Sequence, residues 1–328
     1  MSQVVVITGA SAGVGRACAV EFARQGYDVA LLARGPQRLE AARRELEALG
    51  VRALPISVDI ADPDAVEQAA DQVERELGPI DVWVNNAMTT VFAPFREITA
   101  KEFRRATEVT YLGTVYGTMA ALKRMLARDS GSIVQVGSAL AYRAIPLQAP
   151  YCGAKHAVRG FTDSIRSELI REKSKVRLSM VHLPAMNTPQ FSWCKTHLPR
   201  HPQPVPPIFQ PEVAARGIVW AARHRRREVH VGRSAVVAIW GNKLFPGLGD
   251  RYLAANGFDG QQTDEPVQEN RPYNLFEPVD ADFGAHGIFD DQAAASSWQL
   301  WVTTHRRLVT AAGAALVLVA AGMAAWWM

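Results

Sequence analysis

The sequence contains little cysteine, with only Cys18, Cys152 and Cys194 in a chain of 328 residues. An odd number of cysteines without metal-like spacing predicts neither a disulfide framework nor a zinc site. A reducing, cytosolic setting therefore fits the main part of the chain best.

The chain also lacks a strong net charge, which is +4 at pH 7. Short basic clusters occur at 223–227 and 305–307, but no long basic stripe is interleaved with aromatic residues, so nucleic-acid binding is not expected. No charged leader precedes the apolar run at 4–7, which indicates a first strand rather than a signal peptide. With 48% hydrophobic and 21% charged residues, the composition is that of a globular protein.

Long apolar runs are missing from most of the chain, and the exception is 308–327. This run has about twenty residues without a charge, which is close to the length that spans a bilayer. The basic stretch 305–307 precedes it, and Trp326 and Trp327 close it. The pattern predicts a single-pass C-terminal membrane anchor that leaves the rest of the chain on the cytoplasmic side. The alternative is a buried terminal helix, packed within the globular domain or on an oligomer partner.

Short apolar runs alternate with longer amphipathic segments from residue 4 to about 182. The predicted strands lie at 4–7, 29–33, 53–58, 82–84, 133–136, 176–181 and 229–231. The predicted helices lie at 14–25, 36–49, 63–77, 101–128, 154–172 and 212–223. Because the strands are mostly apolar and alternate with helices, we expect an α/β fold with a doubly wound parallel sheet, the Rossmann fold.

The sequence suggests three parts along the chain. A catalytic Rossmann-fold domain is expected at 1–257, an acidic and partly disordered linker at 258–304, and the anchor at 305–328. The proline-rich stretch at 199–211 predicts a stiff loop over a site, with a plain connector as the alternative.

A glycine loop follows the first predicted strand and opens the first helix. Gly9 permits a tight turn, Gly13 lets the backbone approach a pyrophosphate, and Gly15 allows close packing of helix on sheet. The N-terminus of the helix adds free N–H groups and a positive dipole end. Placed between strand and helix, the loop predicts a dinucleotide site.

The end of the second predicted strand bears on the choice of nucleotide. An acidic residue there would bond the ribose 2′-hydroxyl of NAD, but the strand ends in Arg34. Arg34 can pair with a 2′-phosphate, and Arg16 is a second cation just after the glycine loop. These residues favour NADP(H), unless both arginines are ordinary surface residues.

Tyr151 and Lys155 are four residues apart and lie on one face of a predicted helix. An ammonium group beside a phenol lowers the pKa of the phenol towards neutrality. Such a phenol can give or take a proton at physiological pH. The pair therefore predicts acid–base chemistry.

Taken together, these residues resemble the short-chain dehydrogenase/reductase family over roughly residues 3–235. The motifs that carry the resemblance are Thr8-Gly9-x-x-x-Gly13-x-Gly15, Asn85-Asn86-Ala87, Ser138, and Tyr151-x-x-x-Lys155. The resemblance implies a carbonyl–alcohol oxidoreductase in which Tyr151 donates or accepts the proton. It also implies that Ser138 stabilises the reacting oxygen, and that Lys155 lowers the pKa of Tyr151 and binds the nicotinamide ribose.

The same resemblance implies further cofactor contacts. The cofactor-binding residues expected from the loop and the resemblance are Gly9, Ser11, Gly13, Val14, Gly15, Arg16, Arg34, Asp59, Asn85, Ala87, Tyr151, Lys155 and Thr188. Asp59 would contact the adenine and Thr188 would hold the carboxamide.

The sequence departs from the family pattern at three places. Met88 follows Asn85-Asn86-Ala87 where glycine is usual, and Pro184-Ala185 replaces Pro-Gly. Thr110 stands where the family places an asparagine that anchors a water for proton relay from the lysine. A threonine hydroxyl is shorter than the asparagine side chain, so we expect a slower or rerouted relay and count Thr110 among the catalytic positions.

Apolar and aromatic residues near the motifs predict a pocket for a hydrophobic substrate. These pocket candidates are Met88, Leu140, Tyr142, Phe191 and Trp193. The family resemblance implies a homodimer or homotetramer formed through 101–128 and 154–172. A competing hypothesis is a catalytically weak NADP(H)-binding scaffold or redox sensor at the membrane.

Overall fold

Seven parallel strands form the central sheet of the computed structural model, which describes residues 2–279, 281–311 and 323. In chain order, the strands are β1 (Val4–Thr8), β2 (Asp28–Ala33), β3 (Ala53–Ser57), β4 (Ile80–Asn85), β5 (Val91–Phe92), β6 (Ser132–Ser138), β7 (Arg177–Leu183), β8 (Ala185–Met186), β9 (Lys195–Thr196), β10 (Arg200–Pro202), β11 (Ile208–Phe209), β12 (Glu228–His230), β13 (Gln262–Pro266) and β14 (Ala293–Ala294). The order across the sheet is β12-β7-β6-β4-β1-β2-β3. The predicted doubly wound parallel sheet is confirmed.

Helices cover both faces of this sheet. They are α1 (Gly13–Arg24), α2 (Pro36–Glu47), α3 (Pro63–Glu76), α4 (Ala100–Thr107), α5 (Gly113–Arg128), α6 (Ala149–Arg171), α7 (Gln190–Trp193), α8 (Pro211–Arg223), α9 (Arg233–Leu244), α10 (Pro246–Asn256) and α11 (Trp298–Thr304). In β1, Val5 and Ile7 pack with α1, α2 and α8, while Val4 and Val6 pack with α3, α5 and α6. Both faces are buried, which explains why the strand is a continuous apolar run.

The strand order reverses between β1 and β4. Ligands of open α/β sheets bind in the crevice outside the carboxyl ends of the strands at such a switch point. The loop after β1 and the segment after β4 both begin at this edge. The topology therefore places the glycine loop beside Asn86 and Ala87.

The helix predicted at 101–128 is interrupted. A π-helical turn, Glu108–Leu112, separates α4 from α5. Such turns are often found at functional sites, and this one contains Thr110.

Two helices, α9 and α10, were missed by the sequence analysis. Their outward side includes large exposed apolar residues such as Trp240 and Leu248, whereas Ala235 and Ile239 of α9 are buried. With apolar residues on both sides of α9, the sequence lacks the polar face that identifies an amphipathic helix.

The expectation of a partly disordered linker at 258–304 is corrected by the structure. Strand β13 pairs with β10, and β14 pairs with β11. Leu275 is fully buried against Val91, Ala93 and Ala106. Although the segment is acidic overall, a few of its large apolar residues pack against the domain and hold the segment in place. We call residues 271–279 and 281–291 the strap.

Within the part of the chain that the structure describes, no helix is both long enough and apolar enough to cross a membrane. Most of the predicted anchor at 308–327 falls outside the described residues. The anchor therefore stays a prediction.

Candidate active site

A cavity of about 970 Å³ opens at the carboxyl ends of the central strands. At one end it is lined by the glycine loop and Arg34, and at the other by residues of α9 and α10. Ser138, Tyr151 and Lys155 all line its wall. The fold thus brings four separate sequence motifs to one cavity.

The glycine loop is shaped by close backbone contacts. Gly9 and Gly13 have positive φ values of 67° and 57°, which side chains disfavour. A Cβ at Gly9 would lie 2.8 Å from the Cα of Ala87, and one at Gly15 would lie 2.1 Å from the carbonyl oxygen of Gly9. Gly9 therefore lets the loop lie against the segment after β4, Gly13 lets it approach Thr188, and Gly15 allows α1 to pack closely.

Asn86 holds the loop in place, although the sequence analysis did not count it among the site residues. Its side-chain amide donates to the carbonyl oxygens of Thr8 at 3.0 Å and Gly9 at 3.3 Å. The Thr8 hydroxyl oxygen in turn accepts from the backbone N–H groups of Asn86 and Ala87. These bonds lock the loop after β1 to the segment after β4.

The catalytic candidates are held by β6 and α6. Ser138 ends β6, and its Oγ accepts from the backbone N–H of Leu140 at 3.1 Å, which leaves the hydroxyl proton to donate. The ammonium of Lys155 donates to the carbonyl oxygen of Val136 at 2.7 Å, two residues before Ser138. The same nitrogen lies 5.6 Å from the ring centroid of Tyr151.

The pKa of Tyr151 differs from the sequence expectation. Protein atoms around its hydroxyl desolvate the phenolate, and this burial raises the pKa even though a hydrogen bond with Ser138 acts to lower it. Burial lowers the pKa of Lys155 to about 8. The expected lowering by Lys155 is not found, because its ammonium is bonded to Val136 and lies over the ring rather than beside the hydroxyl.

Thr110 is fully buried and its hydroxyl is engaged twice. It donates to the carbonyl oxygen of Thr89 at 2.9 Å and accepts from the backbone N–H of the same residue at 3.0 Å. The carbonyl oxygen of Thr110 accepts from the hydroxyl of Thr114. Thr110 is therefore a clamp between the π-helical turn and the segment after β4.

Cations gather where the second strand ends. Arg34 lines the cavity and donates to the backbone carbonyl oxygens of Phe276, at 2.6 Å, and Asn274. Burial and the neighbouring charge of Arg105 lower the pKa of Arg34. Arg38, which sequence reasoning missed, also lines the cavity.

Asp59 lines the cavity as predicted, but its carboxylate is paired with Arg105. Its other oxygen accepts from the backbone N–H of Ala61 at 3.0 Å. The carboxylate is thus fixed in orientation at the edge of the cavity.

The strap lies along the edge of the cavity near the glycine loop. The backbone N–H of Gly13 donates to the carbonyl oxygen of Gly284 at 3.1 Å. The ring of Phe283 packs edge-on against Trp193 with centroids 4.5 Å apart. Asn274 and Pro278 line the cavity itself. No motif in the sequence pointed to this contribution.

Besides Gly15 and Thr110, three predicted site residues do not line the active-site cavity. The Asn85 side chain is buried, donating to Thr118 and Gln135, so it supports the core beneath the cavity. Arg16 is buried and pairs with Glu45 instead of pointing to a nucleotide. Tyr142, expected in the substrate pocket, lines a separate basic cavity.

Most other predicted positions are brought together. Those that line the cavity are Gly9, Ser11, Gly13, Val14, Ala87, Thr188, Met88, Leu140, Phe191 and Trp193. Residues 203–206 of the proline-rich loop also line it, which agrees with a loop that covers a site. Unpredicted apolar residues of α9 and α10, including Val237, Tyr252 and Leu253, complete the wall.

A buried polar network lies behind Ser138. The imidazole Nδ1 of fully buried His182 is 3.1 Å from the carbonyl oxygen of Ser138. Its Nε2 lies 3.4 Å from Glu228, which also accepts from the Tyr142 hydroxyl. Although burial acts to raise it, the nearby His182 imidazole and the hydrogen bond from Tyr142 hold the pKa of Glu228 at about 2.

The sequence model of the family described as short chain dehydrogenase matches residues 3–196. The uncharacterized oxidoreductase YxnA of Bacillus subtilis is 31% identical over 326 residues, covering 99% of this chain and 89% of that protein. A 3-dehydrosphinganine reductase of Danio rerio is 33% identical over 57% of this chain, which spans only 58% of that relative's length.

Solved structures show the same similarity. An alcohol dehydrogenase from Thermococcus sibiricus, complexed with 5-hydroxy-NADP, has a TM-score of 0.62 at 29% identity, covering 70% of this chain and 96% of that one. A short chain dehydrogenase from Mycobacterium paratuberculosis, bound to NAD, has a TM-score of 0.60 at 25% identity, with 70% and 96% covered.

Proposed function

The chain belongs to the short-chain dehydrogenase family and is an oxidoreductase of carbonyl and alcohol groups, and we propose that it uses NADP(H) on an apolar substrate. The observation that carries the proposal is the convergence of Ser138, Tyr151 and Lys155 on a cavity that begins at the glycine loop. The loop fits a dinucleotide because Gly9 and Gly13 line the cavity with backbone of positive φ, and the N-terminus of α1 begins there.

In the proposed reduction, bound NADPH supplies the hydride, and the protein supplies orientation and the proton. Ser138 donates a hydrogen bond to the substrate oxygen and stabilises its developing charge. Tyr151 donates its hydroxyl proton to that oxygen. Burial raises the pKa of Tyr151, so the hydroxyl is protonated at neutral pH but is a weaker acid than a phenol whose pKa lies near neutrality.

The preference for NADP(H) rests on charge at the end of β2. Arg34 and Arg38 line the cavity there, and Arg105 is close to them. The only carboxylate among the described residues that line this part of the cavity is Asp59, which Arg105 neutralises. A 2′-phosphate would be favoured over a 2′-hydroxyl by the guanidinium groups that line this end of the cavity.

The substrate end of the cavity is predominantly apolar. Met88, Leu140, Phe191 and Val237 are among its walls. These properties support an apolar carbonyl or alcohol as the substrate.

The test is oxidation of NADPH by the full-length protein over a panel of apolar and small polar carbonyls. Tyr151→Phe is expected to lower kcat by about 10²–10⁴-fold, since it removes the general acid, without weakening NADPH binding. Turnover of small polar carbonyls alone would contradict the apolar substrate. Binding of NADPH without Tyr151-dependent turnover would favour the scaffold or sensor, an alternative motivated by Thr110 in place of the family's asparagine and by the long C-terminal segment.

Membrane anchoring through 305–328 with a cytoplasmic catalytic domain is also proposed, on the apolar run and its basic flank. Resistance to carbonate extraction tests it. We further propose a homodimer or homotetramer through α5 and α6, which expose Met119 and Ile170. Light scattering of the protein in detergent, with Ile170→Glu as the disrupting variant, tests this assembly.

A further inference from the structure

We propose that α9 and α10 form a membrane-docking face that seats on an anionic phospholipid bilayer and admits apolar substrate from it. The docking face is defined by six residues, Val237, Trp240, Leu244, Phe245, Leu248 and Tyr252. The docking proposal is argued from the exposed apolar and basic residues of this surface, whereas the proposal of substrate entry rests on the proposed function.

The docking face is strongly apolar. Its six side chains are between 56% and 66% exposed. In α9, Val237, Trp240 and Leu244 repeat at helical spacing on one side, and Ala235 and Ile239 are buried on the other. An exposed apolar cluster of this kind marks an interaction site rather than ordinary surface.

A basic cavity adjoins the docking face and indicates that the partner is negatively charged. Its volume is about 400 Å³, and its cations are Arg159, Arg226, Arg227, Lys243 and Arg306, with Glu228 as the one carboxylate among the described lining residues. The Lys243 ammonium lies 4.7 Å from the ring centroid of Trp240, so the cations begin where the apolar surface ends.

The internal partners of these cations are few. Arg227 pairs with Asp163 at 2.7 Å, and Arg159 lies over the ring of Tyr142. Glu228 is shared by several donors and cannot neutralise five cations. An anionic headgroup beside an apolar chain would satisfy both surfaces at once.

The docking face is continuous with the active-site cavity. Val237 and Tyr252 belong to the docking face and also line the large cavity that contains Tyr151. An apolar molecule leaving the bilayer at this face would reach the cavity without crossing water. In the sequence, Arg306 of the basic cavity directly precedes the run predicted as an anchor.

A second copy of the chain fits this face less well than a bilayer does. Two identical faces would bring the same five cations together, and like charges repel across an interface. An anionic bilayer presents apolar acyl chains beside negatively charged headgroups, which complement the docking face and the basic cavity respectively.

The docking test uses a fluorescent probe whose emission shifts to the blue in apolar surroundings. The native cysteines are all buried, so Leu244→Cys gives a selective labelling site on the full chain. Leu49→Cys is the matched control, because Leu49 is 42% exposed and lies between α2 and β3, at the opposite edge of the sheet from β12.

With vesicles of phosphatidylcholine and phosphatidylglycerol, we expect a blue shift at position 244 and none at position 49. Lys243→Gln and Arg306→Gln are each expected to weaken vesicle affinity about fivefold, and vesicles of phosphatidylcholine alone should bind more weakly. The proposal is overturned if no blue shift occurs at position 244, if both positions shift equally, or if the affinity does not depend on the lipid charge. It is also overturned if the shift at position 244 appears without vesicles when only the protein concentration is raised, because that would indicate self-association.

Substrate entry has its own test. Leu244→Glu is expected to lower kcat/KM about tenfold for a long-chain carbonyl embedded in vesicles and to leave it unchanged for a short soluble carbonyl. Equal losses on both substrates would overturn entry from the bilayer. If the unaltered protein reduces no carbonyl, the proposed function fails, while the probe shifts still decide docking.

Discussion

Arg34 has two conceivable tasks, and a single substitution separates them. Its guanidinium lines the cavity where a 2′-phosphate is proposed, and it also donates to the carbonyl oxygens of Asn274 and Phe276 in the strap. We predict that Arg34→Ala lowers kcat/KM for NADPH and leaves that for NADH nearly unchanged. The reason is that only NADPH carries the 2′-phosphate.

The expected magnitude follows from the neighbouring charges. A hydrogen bond to a charged group contributes about 1.5–3 kcal/mol, which corresponds to roughly tenfold to 150-fold in affinity. Arg38 lines the same end of the cavity and would retain part of the attraction. We therefore expect a loss near the lower bound, about tenfold.

The assay is steady-state kinetics with both nucleotides, together with fluorescence titration of nucleotide binding. Leu275→Ala is the matched control, because Leu275 is fully buried and its truncation loosens the strap while the Arg34 side chain remains. That variant should affect NADPH and NADH alike. Equal losses for both nucleotides in Arg34→Ala would refute phosphate recognition and leave Arg34 as a support of the strap.

Three other predictions concern the glycine loop, the lysine and the π-helical turn. Gly15→Ala is expected to lower the free energy of unfolding, measured in urea, by about 1–3 kcal/mol, because the new Cβ would meet the Gly9 carbonyl oxygen. The control is Gly160→Ala in α6, whose Cβ would meet no described atom within 4 Å and which should be neutral or stabilising. Because burial lowers the pKa of Lys155 to about 8, kcat/KM for NADPH should fall as pH rises through that value, and an inflection near the ordinary value of about 10.4 would contradict it. Thr110→Val removes both hydrogen bonds of the hydroxyl and should lower the free energy of unfolding by about 1–3 kcal/mol. Thr110→Ser keeps the hydroxyl and should lose less. Equal losses in the two variants would contradict the role of Thr110 as a clamp.

The structure also changes the interpretation of the residue at position 110. The family resemblance made Thr110 a replacement for a water-anchoring asparagine. In the fold, both its hydroxyl and its carbonyl oxygen have protein partners. The hydroxyl proton of Thr110 is bonded to Thr89, so this side chain could bind a relay water only by accepting a hydrogen bond from it.

His182 supports the end of β6, where Ser138 lies. A Cβ at Gly137 would lie 2.9 Å from its Nδ1, so the imidazole packs directly under the end of β6. Glu228 and Tyr142 support the imidazole from behind. The carbonyl of Ser138 is thus held by a buried network that no local motif announced.

Local patterns determined the sheet, the covering helices and the main motifs. Apolar runs of strand length, separated by amphipathic segments, require a parallel sheet buried on both faces. The short-range spacing of Gly9, Gly13 and Gly15, and of Tyr151 and Lys155, contains the information for a turn or a helix face. Such features survive in the sequence because neighbouring residues define them.

Contacts between distant residues were decided only by the tertiary structure. Asn85 faces the core, not the cavity, because Thr118 and Gln135 provide its partners from α5 and β6. Likewise, the strap reaches Arg34 from about 240 positions away, through backbone carbonyls that carry no side-chain signature. The pKa of Tyr151 depends on burial, which is a property of the assembled fold, so the sequence predicted the direction of its shift wrongly.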